Sequence, residues 1–189
     1  HGVTGSGKTL IYFEIIKEAL KKNKQVLVLL PEIALTKQIA ERFKDYFEAE
    51  PALWHSSISE KKKKNTWKGV SENKIKLVLG ARSSIFLPFQ NLKLIVIDEE
   101  HDSSYKQEEG VSYNARDMSI LRASIEKFPI LLISATPSIE SYYNSKNKKY
   151  FYVSLTERYK NISLPNIEIV DLINAPADKG KFISNQLIP

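Results

Sequence analysis

The first residues of the chain form a glycine-rich stretch that is suited to bind phosphate. Residues 2–9 match the pattern G-x-x-x-x-G-K-[ST] at every fixed position. Glycines permit a tight loop whose backbone N–H groups converge on phosphate oxygens, while the lysine and threonine side chains bind the outer phosphates and Mg²⁺. A glycine-rich turn that matches by chance is the alternative. The predicted nucleotide-binding residues are Gly2, Thr4, Gly5, Ser6, Gly7, Lys8 and Thr9, of which Thr9 is also a predicted Mg²⁺ ligand.

A second candidate site begins where the apolar run from Leu94 ends, in the tetrapeptide Asp-Glu-Glu-His. Carboxylates at the carboxyl end of a buried parallel strand face the crevice in which such sheets bind ligands. Asp98 is suited to hold Mg²⁺, and Glu99 is suited to act as general base on an attacking water. An acidic turn in solvent would have the same composition. Combined with the phosphate-binding stretch, the pattern predicts catalytic roles for Lys8, Asp98, Glu99 and His101.

A third strand end, in residues 133–138, supplies small hydroxyl side chains. Ser134 and Thr136 could hydrogen-bond the acidic motif and sense whether a γ-phosphate is present. Alternatively, Thr136 is only the N-cap of a helix that follows Pro137. The two interpretations are compatible, and the order of the three motifs favours a role in coupling.

Strands and helices that alternate along the chain would position these motifs. Continuous runs of branched apolar residues predict strands buried on both faces at 25–30, 75–79, 93–98 and 130–134. Two sets of apolar residues at spacings near four predict helical faces, one made of Ile11, Ile15 and Ala19, the other of Leu35, Ile39, Phe43 and Phe47. The pattern predicts an α/β fold with a doubly wound, mainly parallel sheet flanked by helices.

The two ends of the chain are less regular. We expect a loop at 144–149, strand-like segments at 150–155 and 167–172, and a linker from 173 onward, which gives one domain at 1–172 and a linker at 173–189. A phosphate-binding loop normally follows a strand, so the fold is expected to be truncated at the N-terminus.

The overall composition restricts the classes of partner and site. Lys and Arg total 28 against 22 Asp and Glu, a net charge of +6 that favours a polyanionic partner or simply provides solubility. With no cysteine, the chain can form neither a disulfide nor a thiolate metal site. No apolar run is long enough to cross a membrane and no signal segment is recognisable, so we expect a cytoplasmic protein without a membrane partner.

The three motifs and their order resemble superfamily-two helicases of the DEAH/DExH kind, and further stretches resemble the primosomal replication-restart helicases. Residues 31–36 (PEIALT) look like that family's motif Ia, and residues 80–89 look like its motif Ib. Ala81 and Ser84 depart from that motif, where Thr and Ala are expected, and neither is assigned a role. The resemblance implies a P-loop NTPase of RecA-like fold, the first of two helicase lobes.

The segment after the acidic motif resembles the family's aromatic-rich loop, which links DNA contact to ATP hydrolysis. Aromatic and cationic residues are interleaved in this segment, residues 102–117, so Tyr105 could stack on a base while Lys106 and Arg116 meet phosphates. Alternatively, Tyr113 and Arg116 begin a helix that packs against the sheet. Arg82 would contact the DNA backbone or pair with a surface carboxylate. The predicted DNA-binding and coupling residues are Arg82, Tyr105, Lys106, Arg116, Ser134 and Thr136.

Other noticeable residues are assigned ordinary structural roles. The run Lys61 to Lys64 is expected to be a solvated helix face rather than a DNA-binding groove. Trp54 and Trp67 are expected to be core or packing residues rather than stacking platforms, and His55 is expected to make local hydrogen bonds.

By resemblance, the chain is the ATP-binding lobe of an ATP-dependent DNA helicase for replication restart and primosome assembly at forked DNA. The expected cofactors are ATP and Mg²⁺, with zinc bound only in the missing second half. The expected partners are forked or single-stranded DNA, a second lobe in cis, primosome proteins and single-strand binding protein. Without the second lobe the fragment is expected to be inactive. Alternatives are a DNA translocase that does not unwind, a P-loop kinase or transport ATPase, and a non-catalytic nucleic-acid-binding module.

Overall fold

The architecture is a five-stranded parallel sheet. A computed structural model describes residues 1–159, 169–171, 173 and 182–183. The sheet strands are β1 (Gln25–Leu29), β2 (Ala52–Trp54), β3 (Leu77–Gly80), β4 (Leu92–Asp98) and β7 (Ile130–Ile133), in the order β2-β3-β1-β4-β7. All four pairings between neighbours are parallel. A separate antiparallel hairpin pairs β5 (Lys106–Gln107) with β6 (Tyr113–Asn114).

In the described part of the chain, five α-helices connect and cover the strands. They are α1 (Lys8–Lys21), α2 (Lys37–Phe47), α3 (Glu60–Ser71), α4 (Ala115–Glu126) and α5 (Ile139–Lys146), with short 3₁₀ turns at Glu32–Ala34, Arg82–Phe86 and Ser103–Tyr105. Ser, Thr or Asn caps the N-termini of α2 to α5 through a side-chain oxygen that accepts a backbone N–H bond. Gly7 precedes α1 without such a cap.

Alternate residues of the central strands pack into two separate hydrophobic cores, one on each face of the sheet. Leu27 and Leu29 of β1 pack on one face with residues of α3 and α4, whereas Val26 and Val28 pack on the other face with α1 and α2. A sheet covered by helices on both sides explains why β1 is buried at all five positions. The predicted doubly wound α/β fold is confirmed.

A buried amide ties together the loops at the amino ends of the strands. The side chain of Gln25 is fully buried, and its Nε2 donates to the carbonyl oxygens of Val70 and Ile75, both at 2.9 Å. Its Oε1 accepts from the backbone N–H groups of Gln90 and Asn91, again at 2.9 Å. One polar side chain thus satisfies four backbone groups of three segments.

The predicted strand positions hold within a few residues, but two predictions near the C-terminal end are wrong. Residues 144–146 belong to α5 and are not a loop. Residues 150–155 form no strand, although Leu155 makes a single parallel bridge to Gly2. Phe151 is 95% exposed, so this apolar run lacks the cover that a buried strand requires. The predicted strand at 167–172 and linker at 173–189 lie largely outside the described residues.

Helix α1 turns a different face to the sheet from the one predicted. Tyr12, Phe13 and Ile16 are buried, whereas Ile11 and Ile15 are 46% and 38% exposed. Residues 12 and 16 have the same four-residue spacing as 11 and 15, so the period alone cannot choose between adjacent stripes. The predicted face of α2 is correct, with Phe43 fully buried and Ile39 and Phe47 packed against the same core.

The chain divides into two compact units, His1–Tyr159 and Lys160–Pro189. The first contains every strand and helix given above. The predicted boundary at residue 172 stays a prediction. None of the helices in the described part of the chain is long and apolar enough to cross a membrane.

Candidate active site

The glycine-rich loop before α1 has a backbone that only glycine adopts without strain. Gly5 and Gly7 have φ angles of 80° and 84°, in the left-handed region, and nothing lies within 4 Å of the place where a Cβ would be. Gly2 is needed for a different reason, because a Cβ there would lie 2.5 Å from the Ser6 hydroxyl oxygen. The loop is thus open on one side and tightly packed on the other, as a phosphate cradle requires.

Two polar groups of this loop are available for a ligand. The Ser6 hydroxyl oxygen is buried and has no hydrogen-bond partner among the described residues. The Lys8 ammonium donates to the carbonyl oxygens of Gly2 at 2.7 Å and Val3 at 3.3 Å, so it is folded back over the loop. These contacts fit a loop whose cation and hydroxyl exchange backbone partners for phosphate oxygens.

Asp98 ends β4 on the side of the sheet covered by α1. Its Oδ2 accepts a hydrogen bond of 3.2 Å from the hydroxyl of Tyr12, a helix residue one turn beyond Lys8. Its Oδ1 accepts one of 3.1 Å from the backbone N–H of Glu99. Burial, followed by the neighbouring charge of Glu99, raises the pKa of the Asp98 carboxyl. A desolvated carboxylate beside the phosphate-binding loop is a suitable ligand for a hard cation.

Glu99 departs from the strand in a left-handed conformation, with φ of 48°. A non-glycine residue in this region is uncommon and costs free energy, so the surrounding contacts must hold it there. The turn leaves 45% of the Glu99 side chain exposed, with its carboxylate 3.6 Å from Nδ1 of His101. The exposed carboxylate next to a buried one is the arrangement expected of a base beside a metal ligand.

His101 joins the acidic motif to the third strand end. Its Nδ1 lies 2.8 Å from the Ser134 hydroxyl oxygen, and its Nε2 lies 3.4 Å from the Thr136 hydroxyl oxygen. The Ser134 hydroxyl oxygen also accepts a 2.9 Å bond from the Thr136 backbone N–H. The structure therefore brings His101 of the acidic motif together with the two hydroxyl side chains of the third motif.

Two residues of this region were not predicted from the sequence. Tyr12 orients Asp98, and its α-helical position three residues after Thr9 was the available signal. Glu100 was passed over although it lies inside the acidic motif. Its side chain is 1% exposed and paired with Arg116 at 3.3 Å, and only the fold shows that it points away from Glu99 into the protein.

Comparisons with known proteins identify the family. The model of the DEAD/DEAH box helicase family matches residues 1–144. The chain belongs to the DEAD/DEAH box helicase family.

Relatives within this helicase family show which of its members the chain resembles. The chain is 56% identical over 187 residues to the replication restart protein PriA of Rickettsia prowazekii (strain Madrid E), which covers 99% of the chain and 29% of that protein. It is 46% identical over 172 residues to PriA of Bacillus subtilis (strain 168), covering 91% of the chain and 21% of that protein. The predicted resemblance to replication-restart helicases is confirmed, and the chain spans less than a third of these relatives.

Solved helicase structures agree on the fold. RecG bound to a three-way DNA junction superposes with a TM-score of 0.56 at 22% identity, covering 82% of this chain and 20% of RecG. The DUF1998 helicase MrfA bound to DNA gives 0.52 at 14% identity, covering 75% of this chain and 20% of MrfA. At such identities the likeness concerns the fold alone, and it agrees with the predicted RecA-like α/β fold.

Two of the three side chains predicted to contact DNA in residues 102–117, the segment after β4, are buried. Tyr105 is 1% exposed, and its hydroxyl donates to the carbonyl oxygens of Asp98 at 2.6 Å and Leu29 at 3.1 Å, so its ring cannot stack on a base in this conformation. Arg116 lies in the first turn of α4 with its side chain 11% exposed. Arg116 therefore begins a helix and packs, as in the alternative, whereas Tyr113 belongs to β6 and not to the helix. A phosphate contact by Arg116 would require this side chain to leave its buried position, and the contact stays a prediction.

Lys106 and Arg82 remain close to the surface. The Lys106 side chain is 58% exposed and pairs with Glu108 at 2.7 Å. The Arg82 guanidinium donates to the carbonyl oxygens of Ser104 at 3.3 Å and Lys106 at 3.1 Å, so its partners are backbone groups and not the predicted surface carboxylate. Arg82 thereby fixes the turn that carries Lys106.

The lysine-rich helix α3, the two tryptophans and the surroundings of His55 have structural roles. Lys63 pairs with Glu60 on α3, an exposed helix as expected. Trp67 is 49% exposed, and its ring lies 6.5 Å from that of Trp54, so of the two predicted roles it has the packing one and not the core one. Near His55, the local hydrogen bonds are made by Ser56, whose backbone N–H donates to Glu32 at 3.0 Å and whose hydroxyl donates to the same oxygen.

Proposed function

We propose that this chain binds ATP·Mg²⁺ and forms the nucleotide-hydrolysing lobe of an ATP-dependent DNA helicase. The observation that carries the proposal is the convergence of the Lys8 loop, the Asp98–Glu99 strand end and the His101–Ser134 contact at one edge of the sheet. Membership of the DEAD/DEAH box helicase family supports the use of ATP.

The loop residues would hold the nucleotide. Backbone N–H groups of residues 5–9 at the start of α1 present a positive helix end to the phosphates, and the Lys8 ammonium neutralises their charge. The Ser6 hydroxyl, which lacks a partner among the described residues, gains an acceptor when a phosphate is bound.

The metal would be held by few protein groups. Within the described part of the chain no cluster of three or more His, Cys, Asp or Glu side chains is arranged to bind a metal ion. Mg²⁺ in nucleotide sites typically takes one or two protein ligands and completes its shell with phosphates and water. The Thr9 hydroxyl and the Asp98 carboxylate fit this role, and the bound ion supplies charge stabilisation for phosphoryl transfer.

Glu99 is the proposed base. Its partly exposed carboxylate can orient a water molecule and accept its proton as the water attacks the γ-phosphorus and the bond to the ADP oxygen breaks. The buried Asp98 carboxylate would hold the metal. His101, Ser134 and Thr136 would report the state of this site to the β7–α5 connection, because the imidazole contacts both hydroxyls.

We further propose that the full-length protein acts in replication restart, because its relatives are replication restart proteins PriA. Primosome assembly and action at forked DNA are proposed from the resemblance to this family. A second lobe would complete the ATP site, and primosome proteins and single-strand binding protein would be partners. Because an arginine supplied from a second lobe is worth about 10³ to 10⁵ in rate, these 189 residues alone are proposed to be inactive. We also predict that the remainder of the protein binds zinc and that the protein is cytoplasmic.

The decisive experiment measures Mg²⁺-dependent ATP hydrolysis and strand displacement by the full-length protein, with and without forked DNA, beside the 189-residue chain. Hydrolysis and unwinding that depend on DNA, with a silent short chain, are expected. Turnover that DNA does not change would refute the helicase assignment, and hydrolysis without strand displacement would indicate a translocase.

A further inference from the structure

A buried ionic cluster lies behind the acidic motif and is not used in the hydrolysis step proposed above. The carboxylate of Glu100 is 1% exposed and lies 3.3 Å from the Arg116 guanidinium, whose side chain is 11% exposed. Arg116 also donates to the Ser138 hydroxyl oxygen at 2.7 Å. The cluster connects three elements, namely the end of β4, the start of α4 and the start of α5.

Glu100 fixes the segment that carries the third motif. Its backbone N–H donates to the Ile133 carbonyl at 3.0 Å, and its carboxylate accepts from the Ser138 backbone N–H at 2.7 Å. The hydroxyls of Ser138 and Ser141 donate to the same carboxylate at 3.0 and 2.9 Å. Glu100 therefore holds both ends of residues 133–138, between which Ser134 and Thr136 contact His101.

Arg116 connects the same carboxylate to the hairpin. Helix α4 starts immediately after β6, and the backbone N–H of Arg116 donates to the side chain of Asn114, the residue that pairs with Lys106 across the hairpin. A displacement of the hairpin, which carries the exposed Lys106, would move the first turn of α4 and with it the guanidinium.

The cluster is better explained by the fixed arrangement it imposes on these segments than by a contribution to the stability of the protein. A buried ion pair gives little net stabilisation, because desolvation of both charges offsets their attraction, but removing one partner leaves a costly uncompensated charge. Glu100 therefore has a strong preference for positions in which Arg116, Ser138 and Ser141 all surround it. Such a network favours a few discrete arrangements over gradual deformation.

We propose that Glu100 is a positioning residue that transmits the position of the hairpin, through Arg116, to the Ser134–Thr136 segment and hence to His101. The inference rests on the proposed function, in which DNA stimulates hydrolysis, and on the predicted phosphate contact of Lys106 in the hairpin. It assigns the coupling to a single buried pair and not to a base-stacking aromatic residue.

The test compares Glu100→Gln, Arg116→Gln and the double variant in the full-length protein with the control Asp117→Asn. Asp117 also pairs with Arg116, at 3.0 Å, but its side chain is 61% exposed and lies outside the cluster. The readout is the ratio of ATP turnover with saturating single-stranded DNA to turnover without it, together with KM for ATP, the Kd for DNA and the melting temperature.

Each single variant is expected to lower the stimulation ratio by about tenfold through kcat, with KM and Kd within about twofold of wild type. The double variant should lose no more than either single variant, because both remove the same link. Asp117→Asn should be stimulated like wild type. Losses that add in the double variant, or variants that melt earlier yet are stimulated normally, would overturn the inference.

The experiment also covers a variant that fails to fold, and it distinguishes failure of this inference from failure of the proposed function. If Glu100→Gln does not fold, Ser141→Ala, which removes one donor to the carboxylate, should still lower the ratio, and full stimulation of that variant contradicts the proposal. A wild-type protein that DNA does not stimulate would refute the proposed function itself, whereas normal wild-type stimulation with unaffected variants refutes only the inference.

Discussion

The hydroxyl of Tyr105 lies 2.6 Å from the carbonyl oxygen of Asp98, the residue proposed to hold Mg²⁺. The aromatic ring that follows the acidic motif thus supports the active-site strand from within the core. Burial, followed by the charge of Asp98, raises the pKa of the Tyr105 hydroxyl, so this group remains a hydrogen-bond donor at all physiological pH values.

Replacing Tyr105 with Phe should reduce stability without reducing DNA affinity. The ring stays in place, but the carbonyl oxygens of Asp98 and Leu29 lose a buried donor, at a cost of about 1 to 3 kcal/mol in the free energy of unfolding. Denaturant titration and DNA binding of the full-length protein measure both effects. The control is Tyr143→Phe, at a residue 65% exposed on α5. A large loss of DNA affinity with unchanged stability would restore the stacking role.

Replacing Lys8 with Ala should abolish hydrolysis. Removing the cation that neutralises the phosphates is expected to lower turnover by about 100-fold or more and to weaken nucleotide binding. The two carbonyl oxygens that Lys8 now contacts belong to a partly exposed loop, so we expect little change in melting temperature. Lys22→Ala, at the end of the same helix, is the matched control. Normal turnover in Lys8→Ala would remove the phosphate-binding assignment of the loop.

Replacing Glu99 with Gln should separate nucleotide binding from hydrolysis. The amide keeps the shape of the side chain but cannot accept a proton from water, so the rate should fall by about 10² to 10⁴. Binding of a fluorescent ATP analogue, measured in parallel, should stay close to wild type. Glu109→Gln changes an exposed acid of the hairpin loop and serves as control. Hydrolysis that survives the Glu99 substitution would assign the base to another residue.

Replacing Asp98 with Asn should stabilise the protein in Mg²⁺-free buffer while it abolishes hydrolysis. Burial raises the pKa of this carboxyl above its ordinary value of 3.8, so the unfolded chain loses the proton at lower pH than the folded one. The unfolded state then binds fewer protons across that window, and stability falls as pH rises until the folded carboxyl is also ionised. The ionised group therefore costs stability at neutral pH.

The corresponding measurement is the melting temperature of wild type and Asp98→Asn between pH 3 and pH 8. The melting temperature of Asp98→Asn should exceed that of wild type only slightly in acid. The difference should grow as pH rises through the titration window and then stay constant. Asp45→Asn on the exposed face of α2 is the control. A wild type more stable than Asp98→Asn at neutral pH would show that the Tyr12 and Glu99 hydrogen bonds outweigh burial.

Replacing Gln25 with Met should be among the most destabilising single changes far from the active site. The substitution preserves volume but leaves the carbonyl oxygens of Val70 and Ile75 and two backbone N–H groups without their partner, at a cost of at least about 2 kcal/mol. Thermal unfolding measures the effect, and Gln90→Met at the exposed neighbour is the control. A neutral Gln25→Met would mean that water replaces the amide.

The sequence by itself determined four of the five sheet strands and which polar side chains lie at their ends. Continuous branched runs mark strands buried on both faces, and the carboxyl ends of parallel strands meet at one edge, so Asp98 and Ser134 had to lie near the loop that begins α1. Local backbone requirements, such as the left-handed Gly5 and Gly7, are likewise readable from residue types.

Only the tertiary structure decided the orientation of individual side chains. Ile11 and Tyr12 are neighbours with the same helical spacing, and the position of the sheet selected Tyr12 for the core. Tyr105 and Arg116 read as nucleic-acid contacts because aromatic and cationic residues near an active site often are, but their buried partners, Leu29 and Glu100, lie 76 and 16 residues away. Contacts over such separations depend on how elements pack, which neither residue type nor spacing encodes.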